Sequence, residues 1–152
     1  MGQAGDFYED GTGHDMSAGL QDSLEIVGED VWLTVPPFSE YLRTVRLVAA
    51  DAAVRAGLDL HEVEDFRIAV DELCHLLMSS TDHEISISFG VVGHCAIARG
   101  TARRRDGAPL ARLEELSETI VNSVSDYHET IERSSEVGFA VMKQARPLVA
   151  PA

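Results

Sequence analysis

The stretch FRIAVDELCHLLMSS, Phe66 to Ser80, decides how this chain is read. With the residues just before it, Val63, Phe66, Val70, Leu73 and Leu77 fall three or four apart, the period of one buried helix face. Ala69 and Leu76 widen that stripe. Ile68, Asp71, Glu72 and His75 share a neighbouring side of the wheel, so the polar trio borders the core instead of opposing it. A pocket lip would lie there. Asp59 is placed to cap the helix, which the spacing predicts over Leu60 to Ser79.

Upstream, VWLTVPP alternates as a strand does, with Val31, Leu33 and Val35 on one face and Trp32 and Thr34 on the other. Pro36 and Pro37 end it, because neither donates a ladder hydrogen bond. Ser39 then caps a helix expected from Glu40 to Ala56, stopped by Gly57. Downstream, Glu84–Gly93 and His94–Gly100 read as strands joined at Gly93, and TARRRDGAP as a loop. A third helix is expected over Leu110–Val124, with Leu113, Leu116, Ile120 and Val124 as its apolar line. Asp126–Glu132 and Glu136–Gln144 make a terminal hairpin. The order β-α-α-β-β-α-β-β predicts an α/β two-layer sandwich: a mixed, mostly antiparallel sheet of about five strands with three helices on one face.

Residues 1–28 mix Gly, Asp, Ser and Gln without apolar periodicity and are expected to be a disordered acidic tail. The domain is expected over 29–147, with 148–152 as a short C-terminal tail. With 12 Lys and Arg against 26 Asp and Glu, the formal net charge is −14. No Lys or Arg precedes Arg43. Such a surface repels phosphate backbones and argues against direct nucleic-acid binding. It suits a basic protein partner, and equally serves solubility. No apolar run reaches the roughly 18 residues of a membrane span, and no signal peptide is visible, so a cytoplasmic protein with no membrane association is the expectation. Cys74 and Cys95 lack metal-ligand spacing and read as buried thiols.

From LTVPPFSEYLRTVRLVAADAAVRAGLDLHEVEDFRIAVDELC to the final hairpin, about residues 30 to 146, the chain resembles the RsbW-type anti-sigma factors. These are serine kinases of the GHKL fold, related to the histidine-kinase catalytic domain. The resemblance implies ATP and Mg²⁺ as cofactors, a homodimer, and two partners: a sigma factor and an anti-anti-sigma antagonist. It also implies a Glu on the pocket helix, followed one turn later by a metal-binding Asn. Here the Glu position is Glu72, the candidate catalytic residue, and the Asn position is Leu76, which offers a hard cation no oxygen. His75 points about 100° away. Glu72 and His75 alone do not make a metal site, so none is expected.

If Gly100 takes the first glycine of the family's Asp-x-Gly-x-Gly motif, Ala98 stands at the adenine-reading Asp and Ala102 at the second glycine; Asp106-Gly107 comes later and would need a shifted loop. GAPLARL has one Gly where a phosphate-wrapping lid has several, and Ser135-Glu136 replaces the final Gly-Thr. Kinase activity is therefore not expected, and neither is a bound cofactor. Arg99, Arg103, Arg104 and Arg105 are the candidate nucleotide-binding group, since guanidinium forks match phosphate oxygens; pairing with acidic groups, or a plain solvated loop, stays open. By analogy the partner surface falls on Glu40, Arg43 and Arg46. The function implied is an anti-sigma factor that sequesters its sigma factor. An active serine kinase and a nucleotide-sensing relative without a sigma partner are the alternatives.

Overall fold

The computed structural model describes residues 31–147. The expected tails over 1–28 and 148–152 lie outside the described residues. Five strands form one sheet in the order β1-β2-β3-β5-β4: β1 (Val31–Val35), β2 (Ile85–Val92), β3 (Cys95–Arg103), β4 (Tyr127–Glu132) and β5 (Glu136–Gln144). Every neighbouring pair is antiparallel, so the sheet is not mixed as expected. Three helices, α1 (Leu42–Arg55), α2 (Leu60–Ser80) and α3 (Glu115–Val124), make the second layer of the α/β sandwich.

Local chemistry sets the helix ends. The expected Ser39 cap is not made. One 3₁₀ turn, Ser39–Tyr41, precedes α1, and its side chains give no capping bond. Its first bond runs from the Tyr41 N–H to the Phe38 carbonyl, the tighter closure that satisfies orphan groups at a helix start. At the other end Gly57 takes φ +84. The Gly57 N–H bonds to the Val54 carbonyl and the Leu58 N–H to the Ala53 carbonyl, the paired closure of a Schellman motif. Three residues later α2 opens on a full capping box. The Glu62 N–H donates to Asp59 Oδ1 and the Asp59 N–H to Glu62 Oε2, both at 2.8 Å.

Glu62 does more than cap. It is buried, and its Oε1 accepts from the Arg146 N–H at 2.7 Å, tying the chain beyond β5 to the start of α2. Nearby, Lys143 on β5 is almost fully buried and reaches Asp65 Oδ2 at 3.3 Å. A buried charge persists only when paired, so this contact pins the last strand under α2. Lys143→Met is expected to be tolerated better than Lys143→Ala, because Met refills the volume and needs no partner; melting curves of the two variants check this.

The core stripe of α2 is as the period predicts: Phe66, Ala69, Val70, Leu73 and Leu77 are fully buried. Val45, Ala49, Ala52 and Ala53 of α1 pack with them against Ile85, Ile87, Phe89, Ala98, Phe139 and Val141 of the sheet. Two expectations fail nearby. β3 runs to Arg103, because pairing with both β2 (Ile85↔Ala102) and β5 (Arg103↔Glu136) carries the ladder past Gly100. Helix α3 starts at Glu115, not Leu110. Leu110 and Leu116 have no core to enter and stay largely exposed, while Val121, off the expected line, is the buried contact.

Candidate functional site

The polar trio of α2 divides its work. Asp71 Oδ1 accepts from Arg46 Nε at 2.7 Å, joining α1 to α2, and Asp71 Oδ2 lies 3.6 Å from His75 Nε2. The hydrogen bond to Asp71, ahead of its charge, raises the Arg46 pKa further, against a smaller lowering by burial. Asp71 is thus a brace, and Arg46 is its other half. Removing either is expected to cost about 1 kcal/mol, since the pair is partly exposed; a double-mutant cycle on Arg46→Ala and Asp71→Ala reads the coupling.

Glu72 points elsewhere. It lines a groove of about 280 Å³ between α2 and the segment entering α3, with His75, Leu76 and Ser79 on one wall and Arg112, Leu113, Glu114 and Ser117 on the other. It also borders a shallower groove of about 340 Å³ with Arg46, Arg67 and Asp71, so it stands on the ridge between two depressions. Arg67, on the wall of that second groove, bonds to Glu64.

The residues do not fit Mg-ATP. Leu76, one turn after Glu72, is an apolar wall of the groove and offers a hard cation no oxygen at the position where the resemblance sets the metal ligand. At about 280 Å³ the groove lies at the lower end of the roughly 300–1,000 Å³ of most ligand pockets. Ala98, which the resemblance sets at the adenine-reading position, is fully buried in the middle of β3 between Phe89 and Val141. Gly100 faces the helix layer, where a Cβ would lie 2.3 Å from Phe139 Cε1 and 2.9 Å from Leu77 Cδ1. The protein's own core fills that space.

The four candidate arginines are dispersed. Strand alternation sends Arg99 and Arg103 to the sheet face away from the helices, while Ala98, Gly100 and Ala102 face them. Arg104 Nη1 pairs with Glu132 at 3.3 Å and its Nη2 donates to the Ala108 carbonyl, bracing the loop to the terminal hairpin. Arg105 lies 3.4 Å from Asp82. None of the four lines the Glu72 groove. The arginine that does is Arg112, within the lid-like GAPLARL, and its place just before α3 is the signal that could have found it. Glu40 and Arg43 are exposed on the first turns of the α1 region, and Arg46 is committed to Asp71.

Both thiols are held back from reaction. Burial, then the Asp71 charge, pushes the Cys74 thiol far above its ordinary range; burial, then Asp126, raises Cys95. The thiolate is the nucleophile, so a raised pKa lowers reactivity at neutral pH. Iodoacetamide at pH 7.5 is expected to label half-buried Cys95 slowly and Cys74 only on unfolding, as read by mass spectrometry. Fast native labelling of Cys74 would contradict this.

No protein-family model matches the sequence. Two curated relatives do, both serine-protein kinases RsbW. The one from Bacillus subtilis (strain 168) is 38% identical over 64 residues, and the one from Bacillus velezensis is 34% identical over 64 residues. Each match covers 39% of this chain and 40% of the relative, so the chain spans about two fifths of the length of the curated relatives it matches. Over that matched segment the chain is similar to RsbW, and its antiparallel sheet under a helix layer agrees with the GHKL-type α/β sandwich that the resemblance implies.

Proposed function

We propose that the chain is an anti-sigma factor of the RsbW type that works by binding alone: it sequesters a sigma factor, yields it to an anti-anti-sigma antagonist, and transfers no phosphate. The single observation that carries this reading is the groove at Glu72, where the RsbW-type scaffold keeps the carboxylate but sets Leu76 beside it. Phosphoryl transfer depends on positioning and charge neutralisation around Mg²⁺, which a leucine does not supply. Binding to a protein depends on the outer surfaces of the helices, which remain. The proposed partner surface is the start of the α1 region, with Glu40 and Arg43 presented to solvent, and the active unit is a homodimer in the cytoplasm.

The test is reconstitution. The purified full chain is mixed with sigma factors from its own organism and examined by size-exclusion chromatography, then challenged with the antagonist in the absence of ATP. Co-elution with one sigma factor, reversed by the antagonist, supports the proposal. Phosphate on an antagonist serine would establish the kinase instead. Arg43→Glu is the clean probe of the surface and is expected to weaken the sigma complex at an unchanged melting temperature. Arg46→Glu is not clean, because it sets two carboxylates against each other at Asp71. Unaltered affinity in Arg43→Glu would reject this surface.

A further inference from the structure

Among the described residues β4 is an edge strand, paired with β5 alone. Its register runs from Tyr127↔Met142 to Glu132↔Val137, and the next residue, Arg133, donates its N–H to the Glu136 carbonyl at 2.8 Å. Antiparallel partners alternate between bonded and unbonded pairs, so the same parity gives Ile131 and Glu129 to the β5 ladder. The backbone groups of His128 and Thr130 therefore point outward. Among the described residues they pair with no other element.

Those two residues form one wall of a groove of about 540 Å³; Ala111–Leu113, Glu115 and Glu118 face them. An open strand edge beside a groove is the geometry that accepts an extended chain through backbone hydrogen bonds. Charge selects the occupant. Glu115, Glu118 and Glu129 outnumber Arg112, and the chain as a whole carries −14. Residues 1–30 contain eight acidic and no basic residues and are repelled, and pairing two copies through this edge would set Glu115, Glu118 and Glu129 against the same carboxylates, which leaves a homodimer to another face. We propose that the outer edge of β4 binds an extended, lysine- or arginine-bearing segment of a partner protein by strand addition, independently of the α1 surface. Side chains on one side of the added strand meet Glu115 and Glu118, and those on the other meet Glu129.

The probe is a blocked heptapeptide, Thr-Lys-Val-Lys-Val-Lys-Thr, with a Glu-for-Lys counterpart and a version N-methylated at alternate residues. Binding to the full chain is followed by fluorescence anisotropy, and amide exchange by NMR. The Lys peptide is expected to slow exchange at His128 and Thr130 by at least about tenfold, with the other two binding at least about tenfold more weakly. The Glu115→Lys/Glu118→Lys variant should lose a similar factor. Thr130→Pro should abolish binding, since proline is tolerated at an edge and blocks it; should that variant unfold, the N-methylated peptide decides. No binding of the Lys peptide, equal binding of the Glu peptide, or protection elsewhere overturns the proposal. Slow exchange at both amides in the chain alone would mean that the chain covers its own edge, which also overturns it.

Discussion

Gly100→Ala is expected to destabilise the domain by about 3 kcal/mol, at the upper end of ordinary overpacking costs. The backbone itself permits alanine: Gly100 sits mid-strand, and the positive-φ glycines are Gly57, Gly93 and Gly107. The obstacle is the added methyl, which would stand 2.3 and 2.8 Å from the Phe139 ring and 2.9 Å from Leu77. Both neighbours are fully enclosed, so neither ring nor isobutyl group has room to retreat. The melting temperature is expected to fall by roughly 10 °C for a domain of this size. Phe139→Leu in the same chain should recover part of the loss, giving a non-additive double-mutant cycle. A Gly100→Ala variant as stable as the parent would show that the β5–α2 packing is looser than described. The result also bears on function: this glycine, matched to a nucleotide motif by resemblance, has a sufficient reason to be glycine in the approach of Phe139.

The elements that were legible in the sequence are those whose burial is continuous along the chain. Helix α2 carries its whole core face in local order, so its period, its Asp59 cap and the Gly57 stop before it are all local facts. The errors fall where a distant partner decides. β3 extends through Thr101–Arg103 because two flanking strands offer it hydrogen bonds, and nothing within TARRR reveals them. Leu110 and Leu116 look like helix core but remain exposed, because Val121, off that line, is the residue the helix turns into the core. At the candidate site, Glu72 and Leu76 were readable because one helical turn fixes their common side. The arginine cluster was misleading for the opposite reason. Neighbours in sequence diverge on a strand, and Arg99 and Arg103 leave for the other face. Arg112, which does reach the groove, comes from a loop whose path the sequence does not encode locally.

Mg-ATP is expected to give no binding signal at millimolar concentration, and the chain to transfer no phosphate to an antagonist serine. Three contacts separate this groove from a working nucleotide site. By the resemblance, Leu76 stands at the metal-ligand position and Ala98 at the adenine-reading position, and the space before Gly100 is taken by Phe139 and Leu77. Each lost polar or charged contact is worth on the order of 1–3 kcal/mol, so two or three together weaken binding by about two to six powers of ten. Arg112 does not offset this, because a single guanidinium at the groove mouth neutralises charge without holding Mg²⁺ or reading the base. Calorimetric titration with Mg-ATP and a radiolabel assay with the antagonist measure both outcomes. Glu72→Ala should then leave the sigma complex within about twofold of the parent, a difference well under 1 kcal/mol. Micromolar Mg-ATP affinity that vanishes in Glu72→Ala would sink this reading, for it would mean that the core at Gly100 opens to admit the base and that Glu72 still serves catalysis. An unchanged sigma complex without nucleotide would instead leave Glu72 as a solvated carboxylate on a helix border, retained on a scaffold that now acts through its surfaces.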